Sequence, residues 1–268
     1  MRLLLIGDIV GKPGREITCA AVRPLKEVRN IDFVITNAEN AAGGSGITTE
    51  IYNELIDAGV DAITLGDHIY RRREIFGVLE TKRNIVKPAN YPPQAPGREF
   101  VVVEAANGVK VAVISLMGRV FVKPVDCPFQ AVDRVLEQIP ADVKVVIVDM
   151  HAEATGEKQL MGRHLDGRVS AVLGTHTHVA TADSQIFPFG TAFQCDVGMT
   201  GPHESIIGRR IDRVLATTIT FRPEYYDVAS GGNRLNGVIV EVDVQSGKAK
   251  SIERLSLSLE QVMQLKED

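Results

Sequence analysis

The chain has 268 residues, 44% of them hydrophobic and 24% charged, enough for one large domain or two small ones that need no staples to bury a core. Lys and Arg number 30 against 34 Asp and Glu, giving a net charge of −4, so no basic excess exists to drive general nucleic-acid binding. Cys19, Cys127 and Cys195 make neither a CxxC pair nor a zinc-ribbon spacing, and read as reduced thiols of a cytoplasmic protein.

The opening MRLLLIGDIVGKPG holds only a brief apolar run, too short for a secretory segment or a bilayer span, so no membrane association is expected. Leu3 to Ile6 predicts a first strand, followed by Gly7, Asp8 and a Gly/Pro loop. Arg15 to Val28 predicts an amphipathic helix, kinked or ended by Pro24. Asp32 to Thr36 predicts a second strand, running into Asn37-Ala38-Glu39-Asn40 and the Gly43–Gly46 loop. Thr48 or Thr49 caps a helix through Ala58, and Ala62 to Leu65 predicts a third strand before Gly66-Asp67-His68. This rhythm predicts a mainly parallel sheet with both faces covered.

Phe100–Glu104 and Lys110–Leu116 flank Asn107-Gly108, a hairpin signal. Val143–Asp149 predicts a buried strand leading to His151, and Ala171–Gly174 another leading to His176 and His178. Short strands are expected near Gln185–Phe187 and Ala192–Cys195. A last pair, Gly237–Val244 and Ala249–Leu257, turns at Ser246-Gly247. No repeat or linker interrupts the chain, so residues 1–268 read as one domain: α/β, two mixed β-sheets packed together between α-helices.

Polar residues of metal-ligating type recur where apolar strands stop: Asp8, Glu39 with Asn40, Asp67 with His68, His151, and His176 with His178. An Asp after a strand alone serves as a turn former, and a single His as a core residue; it is the joint placement at five strand ends that points to a site. Mixed carboxylate and imidazole donors suit Mn, Fe or Zn. They outnumber the needs of one tetrahedral zinc and suit two metals about 3.5–4 Å apart. His164 reads as the exposed end of a helix and stays outside the site. His203 lies in a Gly/Pro segment, read as a turn before a helix N-terminus or as backbone donors for a phosphate. Arg71–Arg73 read as a solvated helix start in preference to a phosphate clamp.

These motifs resemble the calcineurin-like metallophosphoesterase superfamily, and within it the YmdB-like family, associated with 2′,3′-cyclic-nucleotide phosphodiesterase activity. The stretches that carry the resemblance are Ile6–Gly11, Asn37–Asn40, Leu65–His68, His151–Thr155, Gly174–Val179 and Asp196–Pro202. The resemblance implies a four-layer sandwich and a dinuclear centre. Asp8 and His178 would hold one metal with Asn40 nearby; Asp67, His151 and His176 would hold the other; Glu39 would bridge them. It implies attack on phosphorus by a metal-bridged hydroxide, with Asn40 neutralising charge on the phosphoryl oxygens and His68 as proton donor. The cofactors implied are two divalent ions, Fe or Mn first, with Zn or Mg as alternatives. The expected substrate is a small phosphate ester or nucleotide.

Two departures stand out. Asp8 is followed by Ile9 and Val10 rather than by the Asp-x-His of the wider superfamily, which agrees with the YmdB-like branch. Asp67 stands where that family carries Asn, adding negative charge near an anionic substrate. A nucleotide-binding regulatory protein with little turnover and a phosphomonoesterase for a small metabolite are the alternatives. Substrate contacts are expected from Gly43–Gly46, Gly118–Cys127 and Gly198–His203, with Arg119, Phe121 and Phe129 considered for a base. Apolar segments near Ile206 and Val214 point to a homo-oligomer.

Overall fold

A first run of five residues alternates its burial between two different cores, and that alternation sets the architecture. In a computed structural model describing residues 1–265, β1 (Arg2–Ile6) sends Leu3 and Leu5 one way and Leu4 and Ile6 the other. There follow α1 (Gly11–Val28), β2 (Phe33–Asn37), α2 (Thr49–Asp57), β3 (Ala62–Thr64), a 3-10 turn (Arg73–Ile75) and α3 (Phe76–Thr81). The middle of the chain holds β4 (Phe100–Glu104), β5 (Lys110–Met117), α4 (Pro128–Leu136), β6 (Val145–His151), α5 (Thr155–His164) and β7 (Ala171–Thr175). The rest is β8 (Gln185–Ile186), β9 (Ala192–Gln194), β10 (Gly201–Pro202), α6 (Ile211–Thr220), β11 (Asn233–Val242), β12 (Ala249–Ser258) and α7 (Leu259–Gln264).

Two six-stranded sheets result. In the first, β1, β2 and β3 are parallel, and β11 joins β1 antiparallel with β12 and β10 alongside it. In the second, β5, β6, β7 and β9 are parallel, with β4 and β8 antiparallel at the two edges. Leu3, Leu5, Phe33 and Ile35 pack against Val113, Val145, Ile147 and Leu173 between the sheets. Ile17, Leu25, Ile51 and Leu55 of α1 and α2 cover the first sheet, and Val132, Val135 and Met161 of α4 and α5 cover the second. The order is helices, sheet, sheet, helices, as two mixed sheets between α-helices require. No helix among the described residues is long and apolar enough to cross a membrane.

Several elements differ from the sequence expectation. Helix α1 begins at Gly11 rather than Arg15, because Pro13 in its first turn removes an N–H that has no helical partner anyway. Pro24 does not end it: the buried face Ile17, Ala21, Leu25 runs straight across that position. Strand β6 extends to His151, which pairs with Thr175 on β7 and Met117 on β5. The first sheet is mixed rather than mainly parallel, since the β11–β12 hairpin supplies its antiparallel half. Thr48 is the residue that caps α2, accepting from Ile51 N at 3.3 Å.

His203 is not at a helix start, since α6 begins eight residues later and the His203 ring sits between Gly201 O (3.0 Å) and Asn236 Nδ2 (2.9 Å). Arg71–Arg73 are exposed, with Arg72 donating to Ala42 O at 3.3 Å and Arg71 lining a cavity beside Asp67. Helix α6 buries none of its residues and presents Ile211, Leu215 and Ile219 to solvent.

Candidate metal centre

The parallel strands of both sheets end at one edge, and each of the five named here delivers a polar residue to it. Asp8 follows β1, Glu39 and Asn40 follow β2, and Asp67 and His68 follow β3; β6 ends in His151, and His176 and His178 follow β7. The sheets meet beneath this edge in a polar seam around Asp149. That buried carboxylate accepts from Thr64 Oγ1 (2.5 Å), Thr175 Oγ1 (2.6 Å) and Asn37 Nδ2 (3.0 Å). Burial pushes the Asp149 carboxyl up, and the three donors oppose that.

The residues expected at the site are all linked by contacts under 4 Å. His151 Nε2 lies 3.3 Å from Glu39 Oε1 and 3.4 Å from Asp67 Oδ1. His176 Nδ1 is 3.1 Å from His151 Nε2 and 3.7 Å from Asp67 Oδ1. Asp8 Oδ1 is 3.8 Å from His178 Nε2 and 3.9 Å from His151 Nδ1. Asn40 reaches Glu39 Oε1 at 3.1 Å, His178 Nε2 at 3.3 Å and His68 Nδ1 at 2.6 Å.

Each of the three ligand-type imidazoles is anchored through one nitrogen, leaving the other turned inward. Thr175 spends its hydroxyl proton on Asp149, so it accepts from His151 Nδ1 at 2.8 Å and frees Nε2. His178 Nδ1 donates to Ile207 O at 2.9 Å, freeing its Nε2. His176 Nε2 faces Glu153 Oε2 at 3.3 Å, freeing Nδ1. These tautomers follow from the acceptors each ring meets.

The loop carrying two of these histidines is held by a buried ion pair. His176 and His178 have φ of 93° and 66°, left-handed values that side chains resist. Asp196 accepts from Thr177 N (3.1 Å), Thr177 Oγ1 (2.6 Å), Gly198 N (2.8 Å) and Lys158 Nζ (2.8 Å). Lys158 and Asp196 are both buried, so removing Lys158 alone would cost about 3–5 kcal/mol. Gly66 brings the chain close past the cluster: a Cβ there would overlap the His151 ring and Glu39 Oε2.

The donor set fits divalent cations. Glu39, Asp67, His151 and His176 each offer one ligand atom, all within 4.8 Å of one another. Asp8 Oδ1 is buried with no hydrogen-bond partner among the described residues, an acceptor that a cation would satisfy. Burial raises the Asp8 carboxyl to about 6, and His178 and His151 offset part of the effect. Burial also opposes ionisation of Glu39 and Asp67, but the neighbouring imidazoles prevail and hold both carboxyls below their usual range. Burial works against charge on His151, yet Glu39, Asp67 and Asp8 hold its imidazole well above the ordinary value, so a cation binding at Nε2 would displace a proton. Burial and then the charge on His151 push His176 down to about 4, which keeps it in the neutral form a cation needs.

Several residues of this environment carry little sequence signal of their own. Asp149 interrupts an apolar strand, and that interruption alone could have marked it. Lys158 carries an ordinary helix pattern, while Thr175, Thr177 and Asp196 lie in stretches that carry the family resemblance without standing out as parts of the site. His164 lies outside the site, bound to Asp133 Oδ1 at 2.9 Å. Of the residues considered for a base, Phe121 is exposed and Phe129 packs on His164 at 5.4 Å.

Comparisons agree over nearly the whole chain. The family described as YmdB-like protein matches residues 4–255. A protein of Bacillus subtilis (strain 168) named 2′,3′-cyclic-nucleotide 2′-phosphodiesterase is 45% identical over 258 residues, covering 96% of this chain and 97% of that one. The crystal structure of a hypothetical protein from Thermus thermophilus superposes with a TM-score of 0.90 at 41% identity, covering 96% of this chain and 99% of that one. That of a Mycoplasma pneumoniae protein described as a novel phosphatase gives 0.89 at 33% identity, over 96% and 93%. With the family pattern matched from the first strand to the last and the same fold found in both solved relatives, the chain is a member of the YmdB-like protein family.

Proposed function

We propose that this protein is a metal-dependent phosphodiesterase that opens 2′,3′-cyclic nucleotides, releasing the 2′ oxygen and leaving a nucleoside 3′-phosphate. The observation that carries the reading is the set of three imidazoles, each anchored through one nitrogen with the other aimed at a cluster of buried carboxylates. The 45% identical Bacillus relative bears the corresponding name. Asp67, His151 and His176 would hold one ion, Asp8, His178 and Asn40 a second, with Glu39 between them, Fe or Mn being favoured by the donors. When bound, such a pair supplies Lewis-acid activation of water and of the phosphoryl oxygens.

The protein's own groups do the rest. Glu39 Oε1 sits between His151 Nε2 (3.3 Å) and Asn40 Nδ2 (3.1 Å), a central position in the cluster. His68 commits Nδ1 to Asn40 Oδ1, so Nε2 is its working nitrogen, on a ring that is 26% exposed. From Nε2 it protonates the departing ribose oxygen. Residues of both sheets build this one site, which supports reading residues 1–268 as a single domain, and the wide spacing of Cys19, Cys127 and Cys195, with no CxxC pair, favours a cytoplasmic protein.

Phosphorus NMR of 2′,3′-cyclic AMP incubated with the protein and Mn²⁺ tests the reading: adenosine 3′-phosphate should accumulate. Asp67 favours a second reading, a nucleotide binder with little turnover, because its carboxylate adds charge where an anionic ester must approach. Binding of the nucleotide without product would select that one.

The face of α6 supports self-association. Ile211, Val214, Leu215 and Ile219 follow helical spacing on an element with no buried residue, which packing must stabilise. The charges beside it are paired within the chain, Arg210 with Asp212 (2.7 Å) and Arg213 with Glu224 (2.8 Å). The face is therefore apolar with a neutral rim, which suits a second copy of itself better than a charged partner.

A further inference from the structure

A cavity of about 450 Å³ adjoins the candidate metal centre through Asp67 and is not used by the chemistry described above. Its walls include Tyr70, Tyr91, Pro124 and Val125, and Arg71 and Lys123 also line it. None of the metal-ligating side chains other than Asp67 lines it. Its volume lies within the roughly 300–1,000 Å³ of small-molecule sites, far more than a phosphoryl group needs. The two tyrosine rings stand 6.0 Å apart at 49°, and Tyr70 is fixed by its hydroxyl on Pro96 O at 2.7 Å. Tyr91 has no side-chain hydrogen bond among the described residues, so its O–H is free to meet a ligand oxygen.

We infer that this cavity is the nucleoside subsite, in which the base of the ester packs on the tyrosine and proline walls while Arg71 and Lys123 draw in its anionic end. The inference rests on the proposed phosphodiesterase reading and adds what that reading leaves open, namely what selects the organic part of the ester. Flat aromatic and proline surfaces favour a planar base. A small polyol phosphate would leave the same walls bare. Arg71 and Lys123 add positive charge beside a site whose three carboxylates, Asp8, Glu39 and Asp67, oppose an incoming anion. Lys123, Pro124 and Val125 belong to the Gly118–Cys127 loop expected to contact substrate, whereas the aromatic contribution comes from Tyr70 and Tyr91 rather than Phe121 and Phe129.

Two esters with the same five-membered cyclic phosphate separate the base from the reacting group: 2′,3′-cyclic AMP, and glycerol 1,2-cyclic phosphate, which has no base. Wild-type kcat/KM should favour the nucleotide by at least about tenfold, the scale of one stacking contact. Val125→Trp, which fills the cavity from a loop, should raise KM for the nucleotide about tenfold and leave both constants for the glycerol ester unchanged. Lys123→Ala should weaken the nucleotide in the same direction by a smaller factor. Equal handling of the two esters by wild type, or equal damage to both in Val125→Trp, overturns the subsite while the phosphodiesterase reading stands. Equilibrium dialysis with adenosine 3′-phosphate keeps the two ideas distinct if neither ester turns over. Binding that Val125→Trp abolishes supports the subsite on its own, and absence of binding by wild type overturns it.

Discussion

Asn40 Oδ1 accepts a hydrogen bond from His68 Nδ1 at 2.6 Å, while the amide nitrogen of the same side chain donates to Glu39 Oε1 at 3.1 Å. The amide therefore couples the ring to the buried carboxylate at the centre of the cluster and leaves Nε2 as the nitrogen that the proposed proton donor would use. His68→Ala should lower kcat about 10²–10⁴-fold, the usual worth of a positioned proton donor. Metal content by elemental analysis should stay at the wild-type level. Loss of metal in that variant would make His68 a ligand instead.

Thr175 stands between Asp149 and His151, and Thr175→Val removes a hydroxyl that bonds to both. Metal affinity should fall about 10–100-fold, as for other outer contacts of ligating histidines. Stability should drop by about 1–3 kcal/mol because Asp149 and His151 each lose a buried bond. Thr175→Ser should restore both. Competition with a chelator gives the first quantity and urea unfolding the second; unchanged chelator sensitivity in Thr175→Val would remove the orienting role.

Asp67→Asn removes one charge from a cluster that must receive an anion and keeps an oxygen for a cation. Turnover of a phosphodiester should rise, and the affinity for Mn²⁺ should fall. A drop in turnover measured at saturating Mn²⁺ would show that the carboxylate is not a handicap.

Away from the site, burial and then Glu54, whose Oε1 is 3.9 Å from the sulfur, push the Cys19 thiol up to about 11. Between pH 9 and 11 the unfolded chain releases this proton and the folded one keeps it, so the group's contribution to stability is lost as pH rises through that window. Because alkylation needs the thiolate, iodoacetamide at about pH 8 should label Cys19 slowly, and Glu54→Gln should speed it. Peptide mapping of the alkylated protein reads both rates; fast labelling of the wild type would contradict the burial argument.

If the α6 face pairs with its own copy, Leu215→Asp should convert a dimer to a monomer in sedimentation velocity without loss of the fold. A wild-type protein that sediments as a monomer at micromolar concentration would leave that face to another role.

Much of the fold can be read from the chain because five of the parallel strands announce themselves twice, by an apolar run and by the polar residue that stops it. Asp8, Glu39, Asp67, His151 and His176 all stand out on that rule. What the rule misses is whatever depends on distant partners. Lys158 sits on a helix of weak amphipathic pattern, and only its meeting with Asp196, thirty-eight positions on, shows why it is buried. The left-handed turn at His176 and His178 is invisible to periodicity, which would make them alternate residues of a strand. The start of α1 and the end of β6 fall a few residues from where local pattern puts them, since a Pro in a first turn and a His closing a strand look like breaks.

The proposed phosphodiesterase works through divalent metal held by this cluster of carboxylates and imidazoles, acting on a cyclic phosphodiester. Metal-depleted protein should leave 2′,3′-cyclic AMP intact, and adding Mn²⁺ or Fe²⁺ should restore turnover to a single product, adenosine 3′-phosphate. Protein that takes up about two ions per chain, as a dinuclear centre requires, yet never hydrolyses this nucleotide would contradict the account.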